Sequence, residues 1–347
     1  MRLVSLELHH FRNYTNSTFF ISPQITVVIG PNSQGKTNLL EAIHCILNGY
    51  GFRESKEEEL LTIGASEAFI RADATNGSNV HYQIYYRKLS AGVEKIFSVN
   101  NSKQRYATYI KDSTRSILFS PDQINLIIGP PDGRRKYIDR LLSFYDYEYK
   151  KRLNNYEQGL RKRNKVLEGY RSREALVEEL QFWNSYLEGQ AAYITAAREA
   201  YISFLNEKPD IHSRIFKIEY RMNMFTADRA QSAFEQEQVI RRTTIGPQKD
   251  DFQISKKEGE DCVNIHLYGS RSEQRLALFW LHLREIEYCQ NKTGKKPILL
   301  LDDIFSELDK DNRKLILSLI SDFQTILTTT EEDILAYTPQ PFSIISL

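Results

Sequence analysis

Period-two alternation of apolar and polar residues dominates the first third of the chain. Leu3, Leu6, Leu8 and Phe11 gather near one face of an opening strand, and residues 17–21 and 25–29 predict two more. Residues 68–74, 80–87 and 94–99 alternate in the same way, separated by the turn signals Asn-Gly-Ser and Ser-Ala-Gly. Asn100-Asn101 predicts a tight turn. Together these segments predict a twisted antiparallel sheet. The pattern changes near Ser120-Pro121 and again after residues 129–133. From there to about residue 206 apolar residues (Tyr137, Leu141, Phe144) recur at three- and four-residue spacing with no proline, which predicts helices. Residues 214–222 read as strand, Phe252 and Ile254 alternate in another, and residues 262–267 predict a third. A helix follows over 272–290. The apolar run 298–301 has the pattern of a fully buried parallel strand. A helix near 311–320 and a strand over 324–329 close the chain. No internal repeat or low-complexity tract interrupts it.

One junction carries chemistry. The β-branched run Ile25, Thr26, Val27, Val28 feeds Gly30-Pro31-Asn32-Ser33-Gln34-Gly35-Lys36-Thr37, and a helical segment follows at once. This is the spacing of a phosphate-binding loop in its proper strand–loop–helix context. Glycines let backbone N–H groups converge on phosphate oxygens, and the new helix adds its positive end. Lys36 is expected on the β- and γ-phosphates of a bound nucleotide, and the Thr37 hydroxyl on Mg2+.

The run Ile298 to Asp309 offers a second half. An apolar strand that ends in Asp302-Asp303 places acids at the carboxyl edge of a sheet, where nucleotides bind in α/β folds. Asp302 is the candidate Mg2+ ligand, directly or through water. Asp303 either orients the attacking water or caps the next turn. About 30 residues earlier, Gly269-Ser270-Arg271-Ser272-Glu273-Gln274-Arg275 opens a helix. In cassette ATPases a serine-bearing helix start in that position binds the γ-phosphate held by another subunit; the plainer reading is an N-cap by Ser270 or Ser272. The acidic run Ser306-Glu307-Leu308-Asp309 suits the loop by which such ATPases meet a partner subunit.

At this point the chain resembles the RecF family of bacterial recombination and repair ATPases, related to SMC heads. The resemblance spans nearly the whole sequence. It rests on Phe11-Arg12-Asn13, residues 30–37, Ser120-Pro121-Asp122, Gly129 with Arg134-Arg135, Gly246-Pro247, Asp250-Asp251, residues 270–275, residues 301–309 and Thr328-Thr329-Thr330. It implies an α/β, ABC-type, SMC-like ATPase head, a mixed sheet with a P-loop core plus an antiparallel sheet. The head is assembled from residues 1–118 and 243–347, and residues 119–242 form a mainly helical insertion. It implies an ATP-dependent homodimer that binds gapped or double-stranded DNA without sequence preference, works with RecO and RecR to place RecA at gaps, and hydrolyses ATP slowly. Arg12 and Asn13 join the nucleotide site by this resemblance, Arg12 alternatively being a solvated charge at a strand end, and Ser270 and Gln274 act in trans. Ser272 and Glu273 depart from the family's usual Gly and Gln, which adds bulk and negative charge where a γ-phosphate is expected. Gln248-Lys249 replace a common His-Arg, and Ser33-Gln34 replace a more usual Gly-rich pair.

Bulk properties add limits. The 347 residues carry a net charge of +1, so any nucleic-acid surface must come from local segregation. Such segregation exists. Between residues 134 and 165 stand 11 basic residues (Arg134, Arg135, Lys136, Arg140, Lys150, Lys151, Arg152, Arg161, Lys162, Arg163, Lys165) against four acids. Nine of these, all but Arg140 and Lys165, are the candidate phosphate contacts; the alternative is a set of solvated helix faces. Three scattered cysteines fit a reducing compartment. No apolar stretch approaches membrane-spanning length and no secretory leader precedes the first strand, so the expectation is a cytoplasmic, nucleoid-associated protein without a membrane partner. The competing functions are an SMC-like ATPase of a defence or nuclease system, a cassette transporter subunit and a small-molecule P-loop kinase. The acidic loop, the Ser270 helix and the helical insertion all argue against the kinase.

Overall fold

The computed structural model describes residues 1–75, 77–169, 172–211, 214–338 and 341–347, without the side chains of residues 112, 306, 307, 332 and 333. Its elements in chain order begin with β1 (Arg2–Phe11), β2 (Tyr14–Phe20), β3 (Ile25–Ile29), α1 (Lys36–Asn48), β4 (Glu67–Thr75), β5 (Asn79–Leu89), β6 (Gly92–Val99), β7 (Ser102–Gln104), α2 (Tyr106–Asp112) and β8 (Ser116–Phe119). Next come α3 (Asn125–Ile128), α4 (Pro131–Tyr145), α5 (Tyr147–Gly169), α6 (Arg173–Asn206), β9 (Asp210–Ile211), β10 (Arg214–Arg221), α7 (Ala227–Ile240), β11 (Asp251–Glu258), β12 (Asp261–Asn264) and α8 (Ile265–Tyr268). The chain ends with α9 (Arg271–Thr293), β13 (Ile298–Asp302), α10 (Lys310–Ile320), β14 (Thr325–Thr329) and β15 (Phe342–Ser346). By compactness it divides into two units, Met1–Gln123 with Glu285–Leu347, and Ile124–Arg284.

The first unit contains two sheets. One is antiparallel, in the order β2-β1-β4-β5-β6-β7, and the other is wholly parallel, in the order β15-β3-β14-β13-β8. The spacing of Leu3, Leu6, Leu8 and Phe11 is irregular for a strand, yet all four are buried. A register shift against β4 between Leu3 and Ser5 brings Leu3 and Leu6 to one face, as an extra residue in one strand does. His10, at φ 50°, returns Phe11 to the same side after Leu8. Asn100 and Asn101 have φ of 48° and 63°, the paired left-handed conformation of a two-residue hairpin, and they join Val99 to its partner Ser102. β3 leaves the antiparallel sheet that the opening pattern suggested. All its residues but the last are buried, and it lies between β14 and β15 in the parallel sheet. α1 buries Leu39, Leu40, Ile43, Ile46 and Leu47 in the core that includes Val28, Leu300 and Ile326 of that sheet.

The second unit is a helical group around the sheet β12-β11-β10-β9. Its interior contains charge. Arg198 bonds Asp139 at 2.8 Å and Asp250 at 2.7 Å, and Asp250 also accepts from the Tyr220 hydroxyl and the Asn223 N–H. Burying such charges is tolerable only because each meets several partners. The strand expected over 262–267 stops at Asn264. There the Asn264 side chain caps the His266 N–H at 2.9 Å and turns the chain into α8. Among the described residues no helix is long and apolar enough to cross a membrane.

Candidate functional site

The phosphate-binding loop runs from the end of β3 into α1. Gly35 caps the helix with φ 107°, and Ser33 stands at φ 68°. A Cβ at Gly35 would lie 2.6 Å from Asn13 Nδ2 and 2.9 Å from the Tyr14 hydroxyl, so glycine is required both by backbone and by space. The hairpin between β1 and β2 braces the loop. Asn13 donates to the Gln34 carbonyl at 3.2 Å, Tyr14 donates to the Gly35 carbonyl at 3.1 Å, and Asn38 donates to Asn13 at 2.7 Å. No side chain caps α1, and its first turn holds no acid. Its positive end therefore faces the cleft uncompensated.

Lys36 folds back over the loop, donating to the carbonyls of Gly30 (2.7 Å) and Pro31 (2.8 Å). This lysine is buried beside a helix start, and the two acceptors it meets are neutral carbonyls. Thr37 donates to Asp302 at 3.0 Å, and Thr328 donates to the same oxygen at 2.8 Å. Burial raises the Asp302 carboxyl above its ordinary range; the two hydroxyls and the charges of Arg53 and Lys36 oppose that rise. Asp303 sits at φ 48°, its N–H on the Thr328 carbonyl (3.2 Å) and hydroxyl (3.1 Å). A non-glycine residue in this conformation is over-determined by its surroundings. Asn32, Ser33, Gly35, Lys36, Thr37, Asn38, Arg53, Asp302 and Asp303 together line a cleft of about 340 Å³. A hydroxyl and a carboxylate side by side are hard oxygen donors of the kind Mg2+ takes, and a lysine at a helix start that no side chain caps suits phosphate.

Arg12 is placed differently from the expectation that joined it to the nucleotide. It forms a bidentate pair with Glu41 of α1 (2.8 and 3.1 Å), and Arg53 reaches the same carboxylate at 3.1 Å. Burial pushes the Glu41 carboxyl up, but the two guanidinium groups outweigh it and hold it below its ordinary value. Arg53 also bonds the Asn38 side chain at the cleft. Sequence reading missed Asn38, Arg53 and Tyr14: Asn38 adjoins the loop, but Tyr14 and Arg53 are distant from it in sequence and reach it only through the fold.

Ser270 and Gln274 belong to the second unit, at the start of α9. Ser270 and Glu273 form a reciprocal capping box. The Ser270 N–H and hydroxyl donate to Glu273 Oε2 (2.8 and 3.0 Å), and the Glu273 N–H returns to the Ser270 hydroxyl at 3.3 Å. Lys256 adds an ion pair to Glu273 at 2.5 Å. Burial pushes the Glu273 carboxyl up, and Lys256 and Ser270 more than reverse this. Gln274 donates to the Ile265 carbonyl at 3.2 Å. The side chains of residues 306 and 307, in the acidic loop, lie outside the described residues.

The basic segment separates into two classes. Arg134 pairs with Asp251 at 2.7 Å and Arg163 with Glu237 at 2.7 Å, and the two arginines are 7% and 1% exposed. Both are withdrawn from any phosphate contact by burial, which corrects the expectation for them. Arg135 donates to the Asp250 carbonyl, Lys136 pairs with Asp132, and Arg152 pairs with Glu148. Lys150, Lys151, Arg161 and Lys162 stay exposed. Asp250-Asp251 and Arg134-Arg135, which carried part of the resemblance, brace α4 and α6 against the start of β11.

A phosphate-binding loop between a parallel strand and its helix, an acid-tipped strand of the same sheet and a helical insertion define an ABC-type, SMC-like ATPase head. The model of the RecF/RecN/SMC N terminal domain matches residues 2–346. The chain is 32% identical to the DNA replication and repair protein RecF of Agathobacter rectalis, over 96% of this chain and 93% of that one. It is 33% identical to the protein of the same name from Ligilactobacillus salivarius, over 95% and 91%. Among solved structures it matches the recombination mediator protein RecF with ATPrS in the RecFOR pathway, with a TM-score of 0.82 and 26% identity over 99% of this chain and 95% of that one. An Smc head from Pyrococcus furiosus shares the fold at a TM-score of 0.54 and 18% identity, over 99% and 93%. The chain belongs to the RecF family of DNA replication and repair proteins.

Proposed function

We propose that this chain is an ATP-driven DNA clamp of recombinational repair and replication-fork maintenance. The observation that carries the proposal is the meeting of Thr37 and Asp302, two residues 265 positions apart whose oxygens lie 3.0 Å from each other at the mouth of the loop. A solved RecF structure with ATP, 27% identical over 96% of this chain and 93% of that one at a TM-score of 0.79, supports the choice of nucleotide. The backbone of Gly30, Pro31, Asn32, Ser33, Gln34 and Gly35 cradles the phosphates, and Lys36 turns from its carbonyls to the β- and γ-phosphates. Thr37 and Asp302 hold Mg2+, which would neutralise charge on the transferred phosphate. Asp303 orients the attacking water. Asn13 holds the loop in shape.

Ser270 and Gln274 of a second copy close over the γ-phosphate, so two nucleotides are buried in an isologous interface. ATP then drives dimerisation by mass action, and slow hydrolysis resets it. The dimer assembles on single-strand/double-strand gaps and acts with RecO and RecR to promote loading of RecA. Sedimentation with gapped duplex at two salt concentrations tests this. Complexes that form only with ATP and weaken steeply with salt support it. Binding that ignores ATP, or hydrolysis stimulated by a metabolite and not by DNA, overturns it.

A further inference from the structure

Five cations of the helical insertion have no structural employment. Lys150, Lys151, Arg161, Lys162 and Lys165 are exposed, and none forms an ion pair among the described residues. At 3.6 residues per turn all five fall within an arc of about 120° on α5, along roughly 22 Å of helix. Glu157 and Glu168 border one edge of the arc; Glu148 lies beyond the other and is held by Arg152.

The stripe meets an aromatic run on α6. A groove of about 430 Å³ is lined by Lys162, Lys165 and Val166 from α5 and by Ala175, Glu179 and Trp183 from α6. Trp183 stands edge-on to Phe182 (5.1 Å between ring centroids) and to Tyr186 (5.8 Å). Phe182 is 64% exposed. With Tyr186 36% exposed and Trp183 partly so, the three rings form a contiguous apolar patch of the kind that marks an interaction site. A cationic track that converges on such rings is the arrangement by which unpaired bases stack while their phosphates are neutralised.

We infer that the α5–α6 groove is a binding site for single-stranded DNA, with Trp183 and Phe182 as the stacking surface and Lys162 and Lys165 on the flanking phosphates. The inference rests on the reading of this chain as a DNA-binding protein and gives that reading a place and a ligand. A duplex would engage the cations alone, because its bases are already stacked. Glu179 limits how many phosphates enter the groove and favours a base there.

The chain has two tryptophans, and Trp280 is 1% exposed with its indole N–H on the Lys208 carbonyl. Trp183 therefore reports the groove through its fluorescence. Titrating the full chain with a 16-nucleotide oligo-dT is expected to quench the emission. Trp183→Phe should abolish most of that quench yet bind nearly as well, whereas Trp183→Ala should bind about tenfold more weakly, the lower end expected for loss of one stacked base. Lys162→Gln with Lys165→Gln should lower the slope of log affinity against log salt by about 1.4, two single-strand phosphates' worth. Poly-glutamate of matched charge should neither quench nor compete. Oligo-dT that binds without quenching, is indifferent to Trp183→Ala, or is displaced equally by poly-glutamate overturns the inference. If gapped duplex still binds with ATP in that case, the clamp survives and only the groove is lost; if no DNA binds in any nucleotide state, both fall.

Discussion

Two helix starts dominate the chemistry of this chain, and they are built in opposite ways. α1 begins at an uncapped glycine with no acid in its first turn, so its positive end is open to an external anion. α9 begins at Ser270 with its own carboxylate, Glu273, already on the Ser270 N–H and hydroxyl and anchored by Lys256. One helix start is prepared for a ligand. The other carries an internal stand-in for one, which any phosphate arriving there, as proposed above, would have to displace. A matching motif therefore does not by itself make a competent anion site; what already occupies the donors sets how readily a phosphate can bind.

Substitutions at each helix start and in its support test that contrast. Lys36→Met removes the cation at the open helix start and should weaken ATP binding by about a thousandfold, or about 4 kcal/mol, as read by calorimetry. Glu41→Gln leaves Arg12 and Arg53 without their carboxylate beneath the loop. It should cost about 3 kcal/mol of stability in a denaturant titration. The same residue sets a pH dependence. Its folded value lies below the ordinary 4.5, so its contribution is complete above pH 4.5 and is lost as the pH falls through the folded value. Acid unfolding of the parent chain should show that loss, and the Gln variant should lack it.

Gly35→Ala forces a side chain into φ 107° and against Asn13. It should lower stability by about 1–3 kcal/mol, with ATP affinity falling in parallel. Glu273→Gln keeps a capping group on α9 but removes the charge. ATP-driven dimerisation should tighten about tenfold, or 1.4 kcal/mol, by sedimentation. No change there would mean that the capping box does not oppose the phosphate.

The loop was legible in the sequence because its chemistry is local. Eight consecutive residues specify the turn, the cation and the hydroxyl, and the strand and helix around them are strongly patterned. The acid-tipped strand was equally plain, since a fully buried run reads the same in any context. What was not legible depends on distant partners. Thr328 could be matched to a family pattern, but its bond to Asp302 follows from strand pairing that no local pattern states. The basic segment shows the same limit. The acids that remove Arg134 and Arg163 from the surface, Asp251 and Glu237, lie far along the chain, so a count of charges within the segment could not separate internal cations from exposed ones. The turn into α8 was missed because one Asn side chain ends a strand that its apolar neighbours would have continued.

The proposed clamp requires this nucleotide site to be half of a composite site completed by a second copy. Asp303→Asn tests it most directly, because it is expected to slow hydrolysis while leaving ATP bound. Light scattering of that variant should show monomer without nucleotide and a stable dimer with ATP and Mg2+. The same monomer mass in both conditions, with ATP binding intact, would rule out a composite site.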